Sequence, residues 1–341
     1  RHPASDGRQI VYHAGGDLFR FDPDADRAQR VEVDCPSPRT QRRRRFVKAE
    51  RHLEGGALHP QGHRLAVTAR GRAFALGNWE GPAPQLGGAA GDRQRLARWL
   101  HDGRRVVLVS DADGVETLEV HDPQDPGRAR RLAGLALGQV QALWPSPAAE
   151  AVALTNQRNE LIWVDLAQAR ATVADRSPHG PIEGVAWSPD GRWLAYSAAH
   201  TPQTRLIKLY ALETGEAAEA TAPVLADFAP AFDPGGKYLY FLSAREFNPV
   251  YDNLHFDLGF PRGVRPCLVT LQAETPSPFF VEPKAADNPD EKKAEEKKDD
   301  APAPVHIDLE GIARRVLAFP APDGRDAQLG TIPGNALWTN W

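Results

Sequence analysis

From Val185 to Ser197 the chain reads VAWSPDGRWLAYS, an apolar run, a short polar break and a second apolar run. Pro presets one turn position, Asp tolerates turn geometry and Gly permits positive φ, so the break predicts a tight turn between two strands. The second run, RWLAYS, is apolar on both faces, as expected of a strand covered on two sides. The same pattern recurs as ALHPQGHRLAVTA from Ala57, RWLHDGRRVVLVS from Arg98, ALWPSPAAEAVALT from Ala142 and AFDPGGKYLYFLS from Ala231. Anchored on the apolar residue before each turn (Leu58, Trp99, Trp144, Trp187, Phe232), the copies are spaced by 41, 45, 43 and 45 residues. The Trp144 copy reads as having one extra residue in its turn. A weaker copy, PASDGRQIVYHAG, starts near Pro3. Third strands follow as DLFRFD, ETLEVHD, ELIWVDL and RLIKLYAL.

Each unit therefore holds about four short strands in 41 to 45 residues, which predicts an all-β fold of propeller blades. One four-stranded sheet leaves both faces bare, and stacking blades around an axis buries them. A β-sandwich, the rival architecture, needs no such fixed period.

The regular spacing breaks twice. Between Pro3 and Leu58 lies CPSPRTQRRRRFVKAERH, whose run Arg42 to Arg45 is either a basic docking patch or a solvated linker, the second fitting the Pro-flanked composition better. After Phe232 comes a longer insertion, SAREFNPVYDNLHFDLGFPRG, with Phe247, Tyr251, His255, Phe256 and Phe260. Aromatic side chains at that density are expected to pack onto something. From Lys284 to Pro304 the chain is charge, Ala and Pro without apolar period, which predicts a disordered tether. RPCLVTLQ before it and RRVLAFPAP after it read as the third and fourth strands of one interrupted blade. TIPGNALW begins a further unit, and Trp341 falls inside a strand. The expectation is an incomplete propeller that ends before closure.

Composition changes little. The 341 residues are 41% hydrophobic and 25% charged with net charge −4, which implies no general attraction to nucleic acid or an anionic membrane. No apolar run reaches bilayer length. The chain begins with Arg, contains no Met and shows no signal-peptide pattern, so it reads as an internal piece of a longer protein. Cys35 and Cys267 form no C-x-x-C pair and read as inert thiols, which disfavours a disulfide framework or a zinc site.

Catalytic patterns are absent. There is no G-x-S-x-G, no phosphate-binding glycine loop and no H-E-x-x-H among the eleven histidines. His59 and His63 are four apart with Pro60 and Gly62 between them, which defeats a helical metal-binding face. Asp111 and Asp113 sit in a predicted turn and lack the later acid of a calcium loop. No catalytic, cofactor-binding or metal-binding residue is assigned, and no cofactor is expected.

Two segments carry a family resemblance. PAFDPGGKYLYFLSAREFNPVYDNLHFDLGFPRGVRPCLVTLQAETPSPF, from Pro230 to Phe279, and FVKAERHLEGGALHPQGHRLAVTARGRAFAL, from Phe46 to Leu76, resemble the second propeller of tricorn-type proteases. VHIDLEGIARRVLAFPAPDGR, from Val305, is similar to the strand after that family's charged tether. The resemblance covers essentially the whole chain. It implies a six-bladed propeller ending near residue 45, and from residue 46 to 341 five blades and the start of another of a seven-bladed propeller. It implies a substrate filter that passes oligopeptides to a serine-peptidase core, with a PDZ-like domain, beyond Trp341. It further implies a homo-hexamer, peptide substrates, and a cytoplasmic protein, with a periplasmic one as the alternative because the N-terminus is missing. A TolB-like scaffold that binds protein partners, and the cap of a prolyl-oligopeptidase relative, are the other readings of the same turns.

Overall fold

A computed structural model describes residues 2–340 except 35, 37, 39, 41–45, 88–90, 247–248, 260–262, 281–302 and 323, with the side chains of 49, 126 and 127 also left aside. The run Arg42 to Arg45, Cys35, Phe247, Phe260 and most of the charged tether lie outside the described residues. The chain divides into two compact units, residues 1–48 and 49–341.

The first unit is one antiparallel sheet in the order β1 (Ala4–Ser5), β2 (Ile10–Ala14), β3 (Asp17–Asp22), β4 (Arg27–Val31). Asp6 and Gly7, at φ 88°, make its first turn.

The second unit repeats that sheet. Blade I is β5 (Leu53–Leu58), β6 (Arg64–Ala69), β7 (Arg72–Gly77), β8 (Gln85–Leu86). Blade II is β9 (Gln94–Trp99), β10 (Val106–Ser110), β11 (Thr117–Asp122), β12 (Asp125–Leu132). Blade III is β13 (Val140–Pro145), β14 (Ala151–Asn156), β15 (Glu160–Asp165), β16 (Arg170–Arg176). Blade IV is β17 (Glu183–Trp187), β18 (Trp193–Ala199), β19 (Arg205–Ala211), β20 (Glu216–Glu219). In blade V, β21 (Asp227–Phe232) and β22 (Tyr238–Ser243) are followed by an inserted hairpin, β23 (Val250–Asp252) and β24 (Asp257–Gly259). The blade resumes with β25 (Arg265–Thr270) and closes with β26 (Val316–Ala318), Cys267 opposite Ala318. The two halves of the interrupted blade thus pair across the tether as the sequence pattern predicts. A two-stranded sheet, β27 (Asp326–Ile332) and β28 (Asn335–Asn340), follows.

The first strand of each blade touches the first strand of the next, from β5 through β9, β13, β17 and β21 to β27. First strands are therefore innermost, and the fold is an all-β propeller of four-stranded blades. The core lies in the seams between blades. Val107, Leu118, Val152 and Ile162 fill the II–III seam, Trp187, Leu194 and Tyr196 the III–IV seam, and Phe232, Leu239 and Phe241 the IV–V seam. This is why the second strands are apolar on both faces.

The turns explain the glycines. Gly103 N–H bonds the Leu100 carbonyl, Gly191 that of Ser188 and Gly236 that of Asp233, at 2.8–3.0 Å. All three sit at positive φ, from 61° to 71°.

Blade III departs from the expected alignment. Pro145 pairs with Val152 as Trp187 pairs with Leu194, so Pro145 and not Trp144 occupies the anchor position. The turn holds no extra residue, since Ser146 N–H bonds the Ala151 carbonyl just as Ser188 N–H bonds that of Trp193. A one-residue shift flips every side chain to the other face, and Trp144 accordingly packs into the III–IV seam.

Candidate functional site

The six innermost strands share one irregularity. The ladder slips between Leu53 and Gly55, between Val107 and Val109 opposite β9, between Val140 and Ala142, between Glu183 and Ala186, between Phe228 and Ala231, and between Ala327 and Gly330. In four of these β-bulges the first extra residue holds a left-handed backbone: Leu96 at φ 54°, Gly184 at 60°, Ala229 at 51° and Gln328 at 53°. A left-handed non-glycine residue costs about 1–2 kcal/mol, so packing must hold Leu96, Ala229 and Gln328 there. Neighbouring bulges abut. A Cβ on Gly184 would lie 3.2 Å from Ala229 N and 3.3 Å from Ala229 Cα.

Each innermost strand pairs only with the second strand of its own blade. Among the described residues its other edge belongs to no ladder, and several backbone groups of these strands, at Gln94, Val140, Trp144, Asp227 and Phe232, bond the neighbouring blade instead. The bulges re-aim side chains at the same level in successive blades.

Side chains fix one blade to the next. His59 Nδ1 accepts the Gln61 N–H at 3.0 Å, which leaves Nε2–H to donate to the Gly103 carbonyl at 2.6 Å. Both ring nitrogens are thereby used, although the His59 and His63 rings lie 4.2 Å apart. Trp187 Nε1–H donates to the Trp144 carbonyl at 2.9 Å, Ser197 Oγ–H to the Asp227 carbonyl at 2.7 Å, and Thr331 Oγ1–H to the Phe232 carbonyl at 2.9 Å. At the II–III seam Glu116 accepts the Val140 N–H at 2.6 Å, while Arg95 pairs with Glu116 and donates to the Val140 carbonyl at 2.8 Å. A cleft of about 520 Å3 opens beside them, lined by Val115, Glu116, Leu137, Gln139 and Arg158.

Charge behaves differently at Arg98, three residues along β9 from Arg95. Its guanidinium is half-buried, and burial pulls its pKa below the usual arginine value. Among the described residues no carboxylate stands within ion-pair distance, and the one hydrogen bond recorded is to the Ala97 carbonyl at 3.1 Å. The corresponding residues one before the anchor in the other blades are Ala57, Trp144, Ala186 and Ala231.

Two buried carboxylates, Glu119 in blade II and Glu160 in blade III, are satisfied within their own blades. Burial would raise Glu119, but hydrogen bonds from His121, Arg131 and Ser110 outweigh it and hold the carboxyl at about 2. Burial at Glu160 is likewise outweighed by Asn156, Arg176 and Arg158, again to about 2. Asp111 accepts the Arg93 N–H at 2.7 Å and Asp113 pairs with Arg131 at 2.8 Å. Burial pushes the Cys267 thiol up to about 12, which makes it a poor nucleophile. Among the described residues no group of three His, Cys, Asp or Glu could hold a metal ion, and no helix is long and apolar enough to cross a membrane.

The aromatic insertion differs from expectation. Tyr251 is 54% exposed, Phe256 78% and Leu254 79%. The hairpin is held by its own ladder and by Asp252, which accepts the N–H groups of Leu254 and His255 and pairs with the His255 ring at 2.8 Å. Among the described residues these side chains find no core. The sequence reading missed the bulges and Arg98. Bulges leave no composition signal, but an arginine directly before the anchor, where other copies carry Ala or Trp, was visible in RWLHDG.

Residues 53–340 match the family described as the tricorn protease second β-propeller domain. The chain is 35% identical over 347 residues to tricorn protease homolog 1 of Streptomyces coelicolor, covering 99% of this chain and 32% of that protein. It is 29% identical over 338 residues to the tricorn protease homolog of Saccharolobus solfataricus, covering 99% and 29%. The crystal structure of the tricorn protease superposes with a TM-score of 0.70 at 24% identity, over 96% of this chain and 31% of that one. The chain thus spans about a third of the length of the curated relatives it matches.

Proposed function

Because the chain belongs to the tricorn protease second β-propeller family, we propose that it is the substrate-filter region of a tricorn-type serine protease. Oligopeptides pass along the axis of the propeller toward a serine-peptidase core carried elsewhere in the protein. In this reading residues 1–45 close a first propeller, residues 46–341 build most of a second, and the whole protein works as a homo-oligomer in the soluble phase. The observation that carries the reading is the side-by-side run of innermost strands. Their ladder-free edges and aligned bulges suit an extended peptide, and rigid seams keep a folded protein out. No residue of this chain has a catalytic role in it.

The test narrows the passage without touching chemistry. Gln141 is exposed on β13, so Gln141→Cys in the full-length protein can carry a bulky maleimide. Hydrolysis of peptides of about ten residues is expected to slow several-fold, with a dipeptide fluorogenic substrate unaffected. Equal rates for modified and unmodified protein on both substrates would overturn the proposal.

A further inference from the structure

Arg95 and Arg98 form an internal comparison on one strand. Both lie on β9, and the bulge at Leu96 and Ala97 brings them to the same face, since Arg95 pairs with Val109 and Arg98 with Val107. Arg95 has a carboxylate, that of Glu116, and a backbone carbonyl of the next blade. Arg98 is half-buried on that same face, and among the described residues it has neither. Its four blade counterparts are three alanines and a tryptophan, so the cation is a feature of this position and not of the repeat. A partly desolvated guanidinium without a counter-ion is unfavourable unless something else brings one. Its planar fork matches a carboxylate in two-point geometry.

We propose that Arg98 binds carboxylate groups of peptides moving along the innermost strands, and so gives the passage a preference for acidic or free-acid peptides. The inference rests on the filter reading above. The two sources of the ligand are a peptide's C-terminal carboxylate and an internal Asp or Glu side chain. Arg98 is a recognition residue in this scheme, remote from bond cleavage.

The experiment uses the full-length protein and three dye-labelled peptides of one sequence: free C-terminus, amidated C-terminus, and amidated with one internal Glu. Binding is measured by anisotropy for the unaltered protein, Arg98→Gln, Arg98→Lys and, as a second neutral variant should Arg98→Gln fold poorly, Arg98→Met. The carboxylate-bearing peptides are expected to bind about ten-fold more tightly than the neutral one, the worth of a charged hydrogen bond. That preference should vanish in the neutral variants and survive in part in Arg98→Lys. A preference for the free acid alone assigns the site to the C-terminus, and one for internal Glu alone assigns it to side chains. No preference, or the same preference in the neutral variants, overturns the inference. If the Gln141 blockade still slows long peptides in that case, only the role of Arg98 fails. If the blockade has no effect, the filter reading fails, whatever Arg98 does.

Discussion

Asp227 and Asp326 occupy the same place in successive blades. Each opens an innermost strand opposite the end of the second strand, Asp227 facing Ser243 and Asp326 facing Asn340. Asp227 is buried and held by Ser243 and by Arg245. Asp326 is equally buried and accepts from Asn340 Nδ2 at 2.7 Å, but among the described residues its second oxygen has no partner. Two carboxylates with the same backbone setting should therefore respond oppositely to loss of charge. Asp227→Asn is expected to cost about 3 kcal/mol, because it strands the Arg245 guanidinium. Asp326→Asn is expected to cost nothing, or to stabilise by about 1 kcal/mol, because it removes a desolvated charge. Urea unfolding of the two variants checks this, and equal destabilisation would contradict the assigned contacts.

Turns show how an element serves its neighbour. Gly103 and Gly334 both hold left-handed φ, 61° and 74°. A Cβ on Gly103 would meet the His59 ring at 2.8 Å, whereas one on Gly334 meets nothing within 4 Å. Gly334→Ala should cost about 1–2 kcal/mol of backbone strain alone. Gly103→Ala adds displacement of a histidine that bridges blades I and II, and its melting temperature should fall clearly further than that of Gly334→Ala. The turn at Gly103 was legible in the sequence as a turn, because HDG carries its own conformational preferences. That the same glycine makes room for a side chain 44 residues earlier was not, since nothing local records the approach of a neighbouring blade.

At the scale of the molecule, stability should follow the seams. Blades II to V bury almost every residue of their second strands, while the β23–β24 hairpin stands exposed with its own ladder as support. Native-state hydrogen exchange should find the slowest amides in β10, β14, β18 and β22 and rapid exchange in β23 and β24. Strong protection of the hairpin in the isolated chain would mean that it packs against something in solution. The seams also explain how the interrupted blade survives its insertion. Val305 N–H bonds Asp190 at 2.7 Å, and Val305 and Ile312 bury into the IV–V seam. The returning chain is guided to β25 by packing.

The sequence alone determined the blades. Turn residues and two-sided apolar strands are local preferences, and their repetition at a near-constant period leaves only a stacked arrangement to bury both faces. It also identified β25 and β26 as parts of one blade, because each keeps its strand character on either side of a charged tether. Only the tertiary structure decided that Pro145 and not Trp144 stands at the anchor, since register depends on which strand faces which. Only it revealed the bulges of the innermost strands, the exposure of Tyr251 and Phe256, and an Arg98 that has no carboxylate partner among the described residues. Each of these depends on contacts or their absence between residues tens of positions apart, and no run of neighbouring residues encodes where another blade's carboxylate will be.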